Sequence, residues 1–280
     1  MSFSVMVLVL LGASLHATWN ALVKGGKDKY LDTVGVLIGA TLLTLLYLPF
    51  LPLPARASWP YLAASTLVHQ AYFTLIALSY RKGDLSLVYP VTRGTAPALT
   101  AFCSALVLHE RLSFAGWAGV LLVSSGVLFL AFDHKRSEEF HLAPVLLALT
   151  NAAVIALYTL SDGQGVRLSG NALSYTSWGF LLCAALFVPV ALLIRKQEAV
   201  QHFKTEWRKG IMGGGCSLAA YALALWAMTR APIASVAALR ETSILFGVLI
   251  AAFTLKESVT KMRVVAALLV LAGAVVIKIA

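Results

Sequence analysis

Three ionisable residues stand where ionisable residues are costly. Arg93, Arg240 and Glu241 each lie within a run of apolar side chains. A charged group near the centre of a bilayer costs a few kcal/mol or more, which makes it a functional-site candidate. A guanidinium is a planar fork of N–H donors that suits carboxylate, phosphate or phosphonate. Glu241 adjoins Arg240 and so points about 100° away from it on a helix. It cannot easily neutralise its neighbour, but it can pair with Arg93. Two positive charges at depth then face one negative, and the excess calls for an anion. In the competing arrangement both arginines are tied to Glu241 and backbone carbonyls and merely hold helices together.

Other polar side chains gather on helical faces. His16, Trp19 and Asn20 follow Gly12 and precede Lys24 at i, i+3, i+4 spacing, so they share one side of a helix. His69, Tyr72 and Phe73 repeat the theme, as do Asn151, Tyr158, Thr159 and Asp162, and then Tyr221 and Trp226. A single aromatic or histidine of this kind is ordinary packing, and aromatics also belt a membrane interface. Their recurrence on successive helices points instead to a shared cavity. Tyr89 and Pro90 precede Arg93, and Pro97 follows it; each proline frees a backbone carbonyl four residues back, available to solvate an arginine or to form a hinge. Gly35 and Gly39, and Gly210 and Gly214, have the spacing of close helix contacts.

The elements that must hold these residues are membrane helices. Sixty per cent of the 280 residues are hydrophobic and 12% are charged, about half the charged share of a soluble domain. The mean hydropathy of +0.85 leaves too little polar surface to cover a globule in water. Apolar runs predict ten spans at 3–23, 31–51, 60–80, 86–108, 114–132, 142–161, 172–194, 210–229, 233–255 and 262–279. Arg93 and Arg240 are each the eighth residue of their span. The first run lacks a basic leader and a small-residue cleavage site, so it reads as a retained helix rather than a signal peptide. The break at 195–209 reads as a solvated loop or surface helix.

The net charge of +10 is loop charge. The loops joining spans 1–2, 3–4, 5–6, 7–8 and 9–10 carry 15 Lys and Arg, Lys135, Arg136 and Lys256 among them, against 5 on the other side. The positive-inside rule puts the first group in the cytoplasm and both termini outside. No basic polar segment with interleaved aromatics supports nucleic-acid binding. Cys103, Cys183 and Cys216 sit in apolar runs without metal or disulfide spacing. His16, His69, His109, His134, His141 and His202 form no HxxH or HExxH, and no GxSxG occurs, so neither a metal, a cofactor nor a catalytic set is expected.

The chain also repeats. RGTAPALTAFCSALVLHERLS (93–113) lies over RETSILFGVLIAAFTLKESVT (240–260) at an offset of 147, matching Arg93 with Arg240, Glu110 with Glu257 and Gly126 with Gly273. Residues 1–137 and 138–280 then form two five-helix halves. Five is odd, so the second half enters the membrane inverted, a construction typical of secondary transporters, which bind cargo near the midplane. The fold class expected is all-α membrane.

Ten spans in two halves, with an apolar helix, a Glu-containing HERLS or KESVT turn and a Gly-bearing helix closing each, resemble the EamA-type branch of the drug/metabolite transporter superfamily across the whole chain. HATWNALVKGG (16–26), YPVTRGTAPALTA (89–101) and LSDGQGVR (160–167) resemble a subset associated with phosphonate utilisation. The resemblance implies alternating access, with helices 1, 3, 4, 6, 8 and 9 lining a central cavity and helices 5 and 10 supporting it. Small multidrug-resistance relatives bind cations through a Glu in their first helix; span 1 here has no acid. Many ten-helix relatives keep both termini in the cytoplasm, opposite to the loop-charge expectation. The function expected is a secondary transporter of the inner (plasma) membrane, monomer or homodimer, for a small anionic or zwitterionic metabolite such as an amino acid or organophosphonate. Arg93 and Arg240 would hold the anion; Trp19, His69, Tyr72, Tyr89, Tyr158, Tyr221 and Trp226 would wall the site. His16, Asn20 and Glu241 would supply polar contacts or proton coupling. A flippase for a lipid-linked substrate is the second expectation, and a membrane-embedded enzyme a distant third.

Overall fold

The computed structural model describes residues 1–82, 85–133, 142–253 and 260–280. His134, Lys135, Arg136, His141, Lys256 and Glu257 lie outside the described residues, as does the side chain of Phe73. Every long element among the described residues is a helix: α1 (Phe3–Lys24), α2 (Lys29–Tyr47), α3 (Trp59–Lys82), α4 (Leu85–Val107), α5 (Phe114–Phe129), α6 (Leu142–Ser169), α7 (Ala172–Met228), α8 (Ile233–Arg240), α9 (Ser243–Phe253) and α10 (Lys261–Ile279). Their starts are written locally. Ser2, Asp28, Ser113, Asn171 and Thr260 each accept from a backbone N–H three residues on, satisfying donors that a helix start leaves free. Gly170 carries the left-handed φ of 75° that lets α6 end and α7 begin within two residues.

Seven helical stretches among the described residues are long and apolar enough to cross a membrane. α3 and α4 carry polar side chains, among them Ser65, Thr66, His69 and Arg93, that face inward. Exposed apolar side chains fit a lipid surround: Phe3, Leu46, Leu193 and Phe114 are 73%, 73%, 74% and 92% exposed, a large liability in water.

The sixth and ninth spans differ from the sequence expectation. α6 runs on to Ser169 rather than stopping at 161. The stretch 172–228 is helical throughout but holds two helices, broken at Lys196 (φ 42°, ψ −119°) and Glu206. At about 85 Å it is nearly three bilayer cores long, and its contacts show that it doubles back. The Ser177 hydroxyl bonds Tyr47 at one end of α2, and Arg195 reaches Asp28 at the other at 2.6 Å. Gly210, Gly214 and Gly215 then retrace α2 toward Leu43. The predicted surface segment at 195–209 is the bend. The ninth span, expected as one helix, is broken at Glu241–Thr242 into α8 and α9. The N–H groups of Glu241, Thr242, Ile244 and Leu245 bond carbonyls three residues back, a tightened turn of the kind found at hinges.

Glycines set the closest helix contacts. A Cβ on Gly39 would sit 2.1 Å from the Gly210 carbonyl oxygen, and one on Gly214 would sit 2.2 Å from the Ala40 nitrogen. Backbone cannot yield that much, so Gly214→Val should prise the second arm of α7 off α2 and destabilise by roughly 1–3 kcal/mol. Thermal unfolding in detergent measures this; an unchanged midpoint would contradict it. At the α5–α10 contact, Gly126 meets Val270 and Gly273 meets Val123. The 147-residue offset carries Gly126 onto Gly273 and Val123 onto Val270, so the two pairs are counterparts and the contact is reciprocal.

The main core joins α5 (Val120, Val123, Val127), α10 (Val270, Ala274, Ile277) and the end of α7 (Leu225, Met228) around α8. In α8, Ile233, Ala234, Val236, Ala238 and Leu239 are wholly buried. This short rod is packed all round and leads directly to Arg240 and Glu241.

Candidate substrate cavity

A cavity of about 1000 Å³, counting its mouth, lies between α1, α2, α3, α4, α6, both arms of α7 and α8. It runs from Thr33, one turn into α2, to Tyr175, one turn into α7 at the opposite end. Tyr175 and Asp162 at the deep end are 1% and 3% exposed. Eight of the twelve residues assigned to the site from sequence line it together: His16, Trp19, His69, Tyr72, Arg93, Tyr158, Tyr221 and Arg240.

The two arginines are not equivalent. Arg93 Nη2 lies 3.0 Å from Glu241 Oε1, and both side chains are buried. Arg93 is neutralised by the one acid that helical geometry allowed it. Its Nε and the other Glu241 oxygen have no hydrogen-bond partner among the described residues. Arg240 is half-buried on the cavity wall, with its guanidinium carbon 5.1 Å from the centre of the Tyr221 ring. That is cation–π distance. No carboxylate among the described residues forms an ion pair with it.

Aromatic rings form the wall. His69 stacks on Tyr158 at 4.2 Å, Tyr72 meets Tyr158 edge-on at 5.7 Å, and Phe180 meets Tyr221 at 6.2 Å. The Trp19 indole N–H donates to His16 Nδ1 at 3.2 Å, so Nε2 carries the proton of a neutral His16 ring.

Four residues assigned to the site from sequence do not line the cavity. Glu241 stands behind Arg93 as its counter-ion. Asn20 spends its amide on the His16 carbonyl of its own helix at 2.7 Å. Trp226 packs against the main core and under Arg230, whose guanidinium carbon is 5.7 Å from the ring. Five residues from Tyr221, it points about 140° away. Tyr89 is 41% exposed.

Tyr175, not named from sequence, lines the cavity, as does Asp162, which was noted on the polar face of the sixth span but not assigned to the site. Asp162 accepts hydrogen bonds from the hydroxyls of Tyr175, at 3.0 Å, and Tyr221. Gly165 makes this arrangement fit, since a Cβ there would sit 2.3 Å from the Tyr175 oxygen.

Beyond the deep end the protein is latched. Arg167 donates to Glu110 at 2.6 Å and to the carbonyls of Met228 and Ala231 at 2.8 and 3.0 Å. α8 starts after Pro232 with no side-chain cap of its own; the Glu110 carboxylate accepts from the Ile233 N–H at 3.0 Å instead. One carboxylate thus holds both the end of α6 and the start of α8. At the opposite end, Asp32 binds Lys209 and His202, and Asp28 binds Arg195. Loosening the latch should open the deep end. In a Cys103→Ser, Cys216→Ser background, Glu110→Gln should raise labelling of the buried, cavity-lining Cys183 by an impermeant maleimide several-fold from that side. Unchanged labelling would show that the latch does not hold the cavity shut.

The model of the EamA-like transporter family matches residues 3–132 and 142–279. The chain therefore belongs to the EamA-like transporter family, within the drug/metabolite transporter superfamily. It is a multi-pass membrane transporter of the drug/metabolite kind, in a family of carriers rather than of enzymes. Multidrug resistance protein EbrB of Bacillus subtilis (strain 168) is 32% identical over 82 residues, which is 29% of this chain and 69% of EbrB. A solved protein crystal structure superimposes with a TM-score of 0.77 at 18% identity, covering 99% of this chain and 96% of that one; this likeness is one of fold.

Proposed function

We propose that the protein is a secondary transporter that carries a small anionic or zwitterionic metabolite by alternating access, Arg240 holding the anionic group. The observation that carries this is the asymmetry of the arginines. Arg93 is matched by Glu241, while Arg240 projects into the cavity beside an aromatic ring with no acid paired to it. A guanidinium kept in low dielectric at that cost has a use for an incoming anion. Amino acids and organophosphonates have the size and charge, and the stretches at 16–26, 89–101 and 160–167 favour the latter. EbrB is named for multidrug resistance, but α1 here lacks an acid to receive a cation.

The layout we infer is ten spans in two inverted five-helix halves, 1–137 and 138–280. It is supported by the doubling back of α7 and by the reciprocal Gly126–Val270 and Gly273–Val123 contacts. Loop charge favours an inner-membrane orientation with the Asp28–Arg195 end in the cytoplasm. The cavity then faces inward and the Glu110–Arg167 latch closes the outer side. The broken helix at Glu241–Thr242 is a hinge suited to exchanging the two states.

Proteoliposomes loaded with unlabelled amino acid or alkylphosphonate should take up the labelled compound by exchange well above the rate of protein-free vesicles. Rates equal to those of empty vesicles across both classes would remove this function.

A further inference from the structure

Asp162 has no task in substrate binding as described, yet it is a carboxylate buried in the membrane part of the fold. Both of its oxygens are held, one by Tyr175 from the first arm of α7 and one by Tyr221 from the second. Its partners are neutral phenols; among the described residues no Lys, Arg or His forms an ion pair with it. Tyr221 also supports Arg240 on its ring face. The acid and the anion-seeking cation are therefore one phenol apart and share a residue.

We propose that Asp162 carries the proton that couples transport to the pH gradient, so that one proton travels with one anion. This deepens the transport function proposed above and stands only with it. With Asp162 ionised, the charges of Arg93, Glu241, Arg240 and Asp162 cancel and the cavity offers an anion little net attraction. A proton arriving from the open side onto one Asp162 oxygen leaves the cavity with one net positive charge, at Arg240. The new acid O–H donates to a phenol oxygen, and that phenol turns its own O–H toward the arriving anion. When the anion departs on the other side, the charge of Arg240 is again unmatched, Asp162 gives up its proton there, and both tyrosines return to it. At a separation of one phenol ring, the anion and the proton favour each other on the order of tenfold. The sign makes this symport: anion and proton bind together and leave together.

The other titratable and charged groups around Asp162 are Tyr158 on its own helix, Tyr175 and Cys183 on the first arm of α7, and Tyr221 on the second. His69 of α3 meets Tyr221 edge-on at 6.3 Å, and His16 of α1 and Arg240 of α8 share the cavity. His16, His69 and Glu241 are the competing proton carriers.

Infrared difference spectroscopy of the full-length protein in lipid separates them. A protonated-carboxyl band should appear as the pH is lowered. It should shift when aspartate alone is carbon-13 labelled, and vanish in Asp162→Asn. The label identifies an aspartate even if the variant fails to fold. Methanesulfonate, a strong-acid anion that keeps its charge throughout, should displace the band's appearance to higher pH by about one pH unit relative to chloride at equal ionic strength, the tenfold coupling expressed in protons. A band that is absent, insensitive to aspartate labelling, or retained in folded Asp162→Asn overturns the assignment. A band that titrates but does not move with methanesulfonate overturns the coupling. Sodium-dependent stabilisation without any band replaces the proton with sodium and also overturns it. Loss of exchange in proteoliposomes with the band intact counts against the transport function alone.

Discussion

Arg240→Ala should abolish exchange in proteoliposomes while leaving the protein folded. Removing a buried charged partner of an anion costs about 3 kcal/mol, or about 100-fold in affinity. Folding should survive because Arg240 is half-buried and forms no ion pair with a described carboxylate; its loss leaves Tyr221 without a cation, not an acid without a counter-ion. Arg240→Lys keeps the charge but loses the fork, so it should retain a fraction of the exchange. Full exchange by the alanine variant, at normal thermal stability, would dismiss Arg240 as the anion site.

The second large effect falls on Arg93, with the opposite signature. Arg93→Ala strands Glu241 in a buried site, and breaking a buried pair from one side costs roughly 3–5 kcal/mol. Its thermal midpoint should fall sharply. The double variant Arg93→Ala, Glu241→Ala removes both charges and should recover a substantial part of that loss. Additive losses would show that the 3.0 Å contact contributes no coupling. The two arginines matched by the 147-residue repeat would then divide their work, one structural and one for the substrate.

What was legible in the sequence follows from where its signals are strong. Long apolar runs marked α1, α2 and α10 closely, and the helical angle between neighbours was enough to pair Glu241 with Arg93 rather than Arg240. The Gly35, Gly39, Gly210 and Gly214 spacing marked close helix contacts, but not that the two glycine pairs meet each other. Asp162 was noted on a polar helical face but given no place in the site, because hydropathy fades at Ser161, Asp162, Gly163 and Gln164, which reads as the end of a span. In the fold those residues continue α6 for two more turns and lie against α7 and α8. The break at Glu241–Thr242 was invisible because apolar residues flank it on both sides, and only tertiary packing around α8 tightens the backbone there. Asn20 and Trp226 failed for local reasons: one amide bonds back to its own helix, and one ring points away from Tyr221.

The central claim is that the cavity selects negative charge, and ligand-dependent thermal stabilisation tests it most directly. A ligand that binds only the folded protein stabilises it by about 2.7 kcal/mol at a hundred times its dissociation constant. The wild-type protein, melted with matched series of carboxylates, amino acids, alkylphosphonates and quaternary ammonium cations, should rise in melting temperature with members of the first three series and not with the cations, and Arg240→Ala should lose that rise. Stabilisation by the quaternary cations with none from any anion or zwitterion would contradict the account.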